Sequence, residues 1–494
     1  MQISILRSPR NERKRNNVTT FKKPQTNLVN FMNEEPKKSE NQTSRRKFVA
    51  GAAAAGAAVS TLPVELSAQV GGSDAVKVGM IGMGGRGSGA IVQDLTANDN
   101  AVLVACADAF QDKIDGTGPR AAGLPKITKQ LEKDGRMKQV DLPKSRQYAG
   151  FDAYKAVIDE SDLVVIATPP GFRPIHFEYA VQQGKHVFME KPVCVDAWGY
   201  NKVMEAAKVA DQKNLKVVVG LQRHYQNVYL EAFDKVHKEG LIGDILGAQV
   251  WWNGSRPWIV AREPGWTEME YQMRNWYHFN WLCGDHISEQ HVHNIDVMNW
   301  FLSGDSEKGG NPIVAQGMGG RAGTEPLSVG EIFDHHFVEF RYGAEHNNAV
   351  MNSQCRHIKG TWRKVAEEIH GTEGVLHLGA GKITDHKGET IWQYRKPRSG
   401  EPNPYQVEHD RLHAAIKDGS PLNNAYYGAK SSFTSTLGRL ATYSGQEVKW
   451  DEAVASNFSI MPEEYSFNAE APVQPGPDGN YEIAIPGTWK LPWA

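Results

Sequence analysis

At 494 residues the chain is long enough for two or three domains and a substantial core, which excludes a peptide or a small disulfide scaffold. With 40% hydrophobic and 23% charged residues, 48 glycines and 25 prolines, it reads as a turn-rich globular protein rather than a disordered one. The net charge is −2, and eleven Lys/Arg against four Asp/Glu in residues 1–46 leave the remainder acidic, so no electrostatic argument favours a nucleic-acid partner.

Residues 1–75 read as an address and linker. Thr43-Ser44-Arg45-Arg46-Lys47-Phe48 stands before the Gly/Ala-rich run Val49 to Val59, which is too short for a membrane span, and Leu66-Ser67-Ala68 offers small residues for cleavage. This order resembles a twin-arginine signal; a disordered basic tail before an Ala-rich helix is the alternative. The resemblance implies the twin-arginine export machinery as a partner, a periplasmic or otherwise exported location, and a mature chain beginning near Gln69. No later segment has the ~18 apolar residues of a span. Cys106, Cys194, Cys283 and Cys355 are scattered, with no CxxC pair, and read as buried apolar residues.

The mature chain opens on an apolar strand, Val76 to Ile81, followed by Gly82-Met83-Gly84-Gly85-Arg86-Gly87 and a helix through Ser88 to Leu95. Strand, GxGxxG and helix form a dinucleotide cradle: the glycines permit a tight turn, and pyrophosphate sits on the free N–H groups of the helix N-terminus. A second strand, Ala101 to Ala107, ends in Asp108, whose carboxylate can accept the ribose hydroxyls and favours NAD; Arg86 could pair with a 2′-phosphate and leaves NADP open. Residues 112–144 are polar and predict a surface insertion. The pattern resumes with a helix from Phe151 to Asp159 and a buried strand from Leu163 to Ala167 running into Thr168-Pro169-Pro170. A helix through His176 to Gln183 and a strand from His186 to Met189 follow, ending on Glu190-Lys191-Pro192. Such alternation predicts a doubly wound parallel sheet with Thr168, Pro169, Glu190 and Lys191 at the cofactor crevice.

Glu190-Lys191-Pro192, with GxGxxG and Ala167-Thr168-Pro169-Pro170, resembles the glucose-fructose oxidoreductase / inositol dehydrogenase / rhizopine catabolism (Gfo/Idh/MocA) family. The likeness extends through Leu221-Gln222-Arg223-His224 to Leu437-Gly438-Arg439 and Ser444 to Trp450. It implies an α/β protein with a Rossmann domain over 76–220 and a second α/β domain over 221–461. That second domain's large, open, mostly antiparallel sheet serves as an oligomer face, giving a homodimer or tetramer. Residues 462–494 form a tail outside the likeness. The resemblance places Lys191 beside the nicotinamide and the substrate hydroxyl, where partial desolvation and a cationic ring suit an amine to proton transfer.

The family's second motif falls on Glu289 to Asp296, with Glu289 in place of Asp and His291 in place of Gly. On a continuous helix His286, Glu289, His293, Asp296 and Trp300 share one sector while Ile287, His291, Ile295, Met298 and Leu302 share the other. Glu289, four residues before His293, can orient its imidazole, so Lys191, Glu289 and His293 are the catalytic candidates. His291 is read as a core histidine. Alternatively, His286, Glu289 and His293 could coordinate a divalent metal, or serve structural hydrogen bonding. Arg223, His224, Asn275, His286 and Asp296 are candidate substrate contacts. The clusters Trp251 to Trp258 and Arg274 to Trp281 suit either a sugar or core packing.

The expected function is an exported NAD(P)-dependent oxidoreductase with a tightly bound cofactor and a carbohydrate or polyol substrate. Export without a free dinucleotide pool favours a redox-neutral cycle. Two alternatives stand beside it: an NAD-dependent glycosidase acting by transient oxidation and elimination, whose known members carry a different substrate-helix motif, and a non-catalytic exported sugar-binding protein.

Overall fold

The computed structural model describes residues 75–494 except 306, 324 and 325, so the export signal expected over residues 43–68 lies outside it. Among the described residues no helix is long and apolar enough to cross a membrane. The four cysteines are free and buried, as their scatter predicts.

Six short strands form the first sheet: β1 Val76–Ile81, β2 Ala101–Asp108, β3 Gln147–Ala149, β4 Leu163–Ile166, β5 His186–Met189 and β6 Val217–Val219. Their order is β3-β2-β1-β4-β5-β6, and every pair is parallel. Runs such as Leu163-Val164-Val165-Ile166 and Val217-Val218-Val219 are wholly buried because helices cover both faces, which is why these strands are apolar throughout rather than alternating. Strand order reverses between β1 and β4, opening a crevice at the carboxyl ends of the strands.

The insertion departs from expectation. Helix Gly123–Lys133 buries Ile127 and Leu131 in the core under β1 and β2, and Val140 forms a parallel bridge to Leu103 on β2, so the segment is built into the fold rather than laid over it. Charged residues outnumber apolar ones there, but the apolar ones stand four apart on one helical face.

The second sheet contains β7 Ile245–Asn253, β8 Val314–Gly320, β9 His335–Arg341, β10 Val350–Arg356, β11 Lys364–Gly371, β12 Gly374–His377, β13 Lys382–Asp385, β14 Thr390–Gln393 and β15 Val448–Lys449. Their order is β14-β13-β12-β11-β7-β10-β9-β8-β15, antiparallel except where β10 meets β7. Along β9 and β10 alternate residues are buried, as a sheet covered on one face requires. Helices Val292–Ser303 and Ala425–Ser444 cover that face; the latter lies so deep that Gly438 admits Phe340 and Ile287, and an added Cβ there would stand 2.7 Å from the Phe340 ring. On the other face Met318 and Phe337, paired in register, are 70% and 41% exposed.

Two later segments fold back on the first domain. Residues 457–494 run over helix Glu268–Arg274 and Trp281, anchored where Thr267 donates to the Phe467 carbonyl and the Ile460 N–H donates to Asp196 at 2.9 Å. Helix Pro404–Asp418 lies against helix Gly85–Ala97, where Asp94, fully buried, accepts from His409 Nδ1 at 3.0 Å and His413 Nε2 at 3.1 Å. Burial acts to raise the Asp94 carboxyl, but His413 and His409 hold it well below the usual carboxylate range; burial works against the His413 imidazolium, which Asp94 nonetheless favours, so its pKa is raised. Truncating Asp94 to Ala strands buried imidazoles and should cost about 3–5 kcal/mol in a denaturant titration. The Asp94 contribution should be present at neutral pH and fade as pH falls below the carboxylate range, whereas the His413 contribution should fade as pH rises through its folded pKa. A stability equal to wild type at pH 7 would refute the coupling.

Candidate active site

A cavity of about 810 Å³ occupies the crevice between the first sheet and the helices that cover the second sheet. Its floor is the turn after β1. Gly82 has φ +98°, and a Cβ there would stand 2.7 Å from the Ala167 carbonyl carbon; at Gly87 a Cβ would lie 2.1 Å from the Gly82 carbonyl oxygen. These two glycines let helix Gly85–Ala97 close on the sheet. A Cβ on Gly84 or Gly85 would meet nothing within 4 Å, so the backbone at the helix N-terminus is open to an approaching ligand, the space a pyrophosphate needs.

Asp108, at the end of β2, lines the same cavity. Its carboxylate accepts the Met83 N–H at 2.8 Å and the Phe110 N–H at 3.1 Å, which aim it; burial raises its pKa to about 6 against those two hydrogen bonds. Met83 serves through this N–H, its side chain being buried in the core. Arg86, a candidate partner for a 2′-phosphate, pairs with Glu190, donates to Gln93 at 2.9 Å and lies 5.0 Å from the centre of the Tyr405 ring. Burial acts to raise the Glu190 carboxyl, yet Arg86 holds it below its ordinary value. Gly220 makes room for it, since a Cβ there would stand 2.8 Å from Glu190 Oε2. Thr168 and Pro169 line the wall as the strand-end motif predicts, Thr168 being tied to His176 Nδ1 at 3.2 Å.

Lys191 follows Glu190 and precedes Pro192 across a cis peptide bond. Its ammonium donates to the Glu289 carbonyl at 2.5 Å and lies 3.3 Å from Glu289 Oε1. The carbonyl is available because the expected continuous helix is interrupted: it is two pieces, His286–Glu289 and Val292–Ser303, and the His293 N–H turns to the Gln290 carbonyl at 3.4 Å instead of reaching back to Glu289. His291, standing at the break, is pinned to Ser353 on β10 at 2.8 Å. Glu289 Oε2 is buried without a partner, and burial raises the pKa of the carboxyl although Lys191 pulls it down. His293 also faces the cavity, stacked at 5.8 Å on Trp252, with Nδ1 lacking a partner; burial first, and then the cations Lys191 and Arg223, drive its pKa far down, so the ring is neutral.

Lys191, Glu289 and His293 thus share one wall, but Glu289 serves Lys191 and does not orient His293. Of the expected substrate contacts, Arg223 lines the cavity, ion-paired with buried Glu367. His224 and Asp296 pair with each other at 2.8 Å behind the wall, the imidazole stacked 4.2 Å from both Trp300 and Tyr427. Asn275 is buried, holding the Val260 backbone through both ends of its amide. His286 faces Asp285 at 2.8 Å, fully buried and away from Glu289 and His293, so the suggested three-residue metal site is not assembled. From the aromatic clusters Trp252, Trp258, Trp276 and Tyr277 line the cavity, whereas Trp281 belongs to the apolar core under the tail. Tyr405 was not foreseen as a lining residue; its only signal is a place at the start of a helix distant in sequence.

Fold and cavity define a dinucleotide-binding protein built on a Rossmann domain. Residues 76–221 match the model of the Gfo/Idh/MocA oxidoreductase family, NAD-binding Rossmann fold. The chain is similar to the inositol 2-dehydrogenase of Rhizobium meliloti (strain 1021), 24% identical over 302 residues, 61% of this chain and 74% of the relative. It is also similar to a glycosyl hydrolase family 109 protein of Shewanella pealeana, 27% identical over 256 residues, 47% of this chain and 52% of the relative. For several of the curated relatives the match spans about a third to a half of their length. The crystal structure of apo scyllo-inositol dehydrogenase from Lactobacillus casei shares the fold, with TM-score 0.53 at 18% identity over 78% of this chain and 99% of that one.

Two outcomes test the cradle. Gly87→Ala should lose about 1–3 kcal/mol of stability, because backbone must move, while Gly84→Ala should unfold like wild type and still bind dinucleotide at least tenfold more weakly by calorimetric titration. Binding to the Asp108 carboxylate competes with its protonation, so affinity should fall up to tenfold per pH unit below about 6 and stay level above it; a flat profile in wild type would remove Asp108 from the site.

Proposed function

We propose that the protein is an exported, nicotinamide-dependent oxidoreductase acting on a carbinol or keto group of a sugar, glycoside or polyol. The observation that carries this is the convergence of Lys191 and neutral His293 on the cavity that the Gly84–Gly85 backbone also lines. The cofactor, when bound, supplies hydride exchange with the substrate carbon.

Gly82 to Gly87 and Asp108 would hold the dinucleotide, and with Arg86 committed to Glu190 the carboxylate at Asp108 favours NAD over NADP. In the oxidising direction the substrate O–H proton passes to neutral His293, while the Lys191 ammonium donates a hydrogen bond to the same oxygen and steadies the charge that develops on it; reduction reverses both steps. Glu289 holds the ammonium in place through its carbonyl and Oε1. Trp252, Trp258 and Trp276 offer apolar faces to the C–H surfaces of a sugar and exclude water. The face of the second sheet that carries Met318 and Phe337 is the surface for a homo-oligomer.

A second reading, glycoside cleavage by transient oxidation and elimination, draws on Glu289 Oε2, a buried carboxylate oxygen without a partner on the cavity wall that can take a proton from carbon beside a newly formed ketone. Release of free aglycone distinguishes it.

The native exported protein is denatured and the supernatant assayed for nicotinamide dinucleotide by absorbance and mass. Near-stoichiometric NAD(H) is expected, and Lys191→Ala should keep that cofactor yet lose on the order of 10²- to 10⁴-fold in turnover on sugars tried in redox-neutral pairs. A protein that carries no dinucleotide and binds none when supplied would overturn both readings.

A further inference from the structure

Behind the cavity wall, between the start of helix His286–Glu289 and strand β9, lies a polar cluster that the proposed reaction does not use. Asp285, His286 and His336 are completely buried, and none lines the cavity. Asp285 has φ +73° and ψ 166°, a backbone region that residues with a Cβ seldom occupy, so something in its surroundings holds it there. Its Oδ2 accepts the Phe333 N–H at 3.0 Å and the Tyr443 hydroxyl at 2.5 Å, and its Oδ1 lies 2.8 Å from His286 Nδ1 and 3.3 Å from His336 Nε2.

The His336 contact is out of line for a hydrogen bond, so Nε2 lies in ion-pair range of Oδ1 but has no hydrogen-bond partner. The opposite ring nitrogen explains why that matters. His336 Nδ1 is 2.9 Å from Thr442 Oγ1, and Thr442 directs its single proton to the carbonyls of Gly438 and Arg439 at 3.1 and 3.0 Å. The Thr442 oxygen must therefore accept, Nδ1 carries the ring proton, and a neutral His336 leaves a bare lone pair at Nε2 beside a carboxylate oxygen. Two electron-rich atoms 3.3 Å apart repel each other, and a cation held between them would bind both.

We propose that Asp285, His286 and His336 bind a divalent transition-metal ion of the zinc type. The three donors lie within 4.8 Å of one another, and the 2.8 and 3.3 Å separations suit donor atoms around one ion with bonds of roughly 2.0–2.2 Å. Two imidazoles and a carboxylate are a zinc donor set. Thr442 behind His336, and Tyr443 and Phe333 behind Asp285, orient the ligands as partners behind a metal site do. Complete burial makes this a closed, structural site. The ion would hold the strained residue from which the chain runs four positions to Glu289, and so the partner of Lys191.

The test is metal content of the native full-length protein after exhaustive dialysis, by inductively coupled plasma mass spectrometry. About one zinc per folded chain is expected, with a strong chelator lowering the melting temperature and Zn²⁺ restoring it. His336→Gln should hold at least tenfold less metal. In Co²⁺-loaded protein, visible d–d bands of a bound ion should appear, and His336→Gln should remove them. Less than a tenth of an ion per folded wild-type chain, together with a melting temperature indifferent to Zn²⁺ and chelator, would overturn the proposal whether or not the His336 variant folds. Because these readouts need neither dinucleotide nor substrate, they stand apart from the proposed reaction.

Discussion

A buried ammonium spans the cleft. Lys191 leaves the end of β5 in the first sheet and is received by the backbone carbonyl and side chain of Glu289, on the helices beside the second sheet, so both walls of the cavity meet at one charge. Glu289 cannot move away without leaving an ammonium unpaired where water is scarce, and Lys191 cannot swing out without abandoning a buried carboxylate. Such a pair adds little net stability because both ions are desolvated, but losing either partner is severe, so it fixes the relative position of the groups more than it strengthens the fold. The rest of the site is arranged around that fixed point.

Charge alternates outward from it. Arg86 pairs with Glu190, Lys191 with Glu289, and Arg173 donates through its guanidinium to the Pro192 carbonyl at 2.5 Å while standing close enough to both carboxylates to be favoured by them. Burial nevertheless lowers the Arg173 pKa to about 10, a measure of how far water is excluded. One group escapes the alternation: Glu408, fully buried, has neither carboxylate oxygen paired, and burial raises its pKa well above normal, with Glu190 adding to the effect. With its carboxyl favoured in the neutral form, Glu408 leaves Glu190 as the ion-pair partner of Arg86, whose guanidinium lies over Tyr405 at the start of helix Pro404–Asp418.

What the sequence made legible follows physical range. The strands of the first sheet are short apolar runs whose burial on both sides writes itself into consecutive residues, and the glycine turn, Asp108, Thr168 and Glu190-Lys191 all fall at strand ends, where spacing along the chain determines position. The insertion reads as surface because its apolar residues, Ile127 and Leu131, are few and only their helical spacing marks them. Substrate contacts assigned from local motifs fared differently. His224 and Asp296 are 72 residues apart and satisfy each other; Asn275 is consumed by the backbone of Val260, and nothing local in either stretch distinguishes a side chain that faces a cavity from one that faces a partner. The return of helix Pro404–Asp418 to the first domain depends on Asp94 meeting His409 and His413 across more than 300 residues, a pairing without local signature.

The interrupted helix is the most instructive departure, because the continuous one would have defeated the site. In an unbroken helix the Glu289 carbonyl would accept the N–H of His293, and Lys191 would find only a side chain. The break at Gln290 and His291 spends one backbone hydrogen bond and frees that carbonyl for the ammonium. It is held open from both ends: His291 is tied to Ser353 on β10, and Asp285, in a conformation glycine would adopt more readily, is gripped by Tyr443, Phe333 and two histidines. His291 supplies the anchor that keeps the turn from closing. Residues with no access to the cavity in this way decide where its principal charge sits.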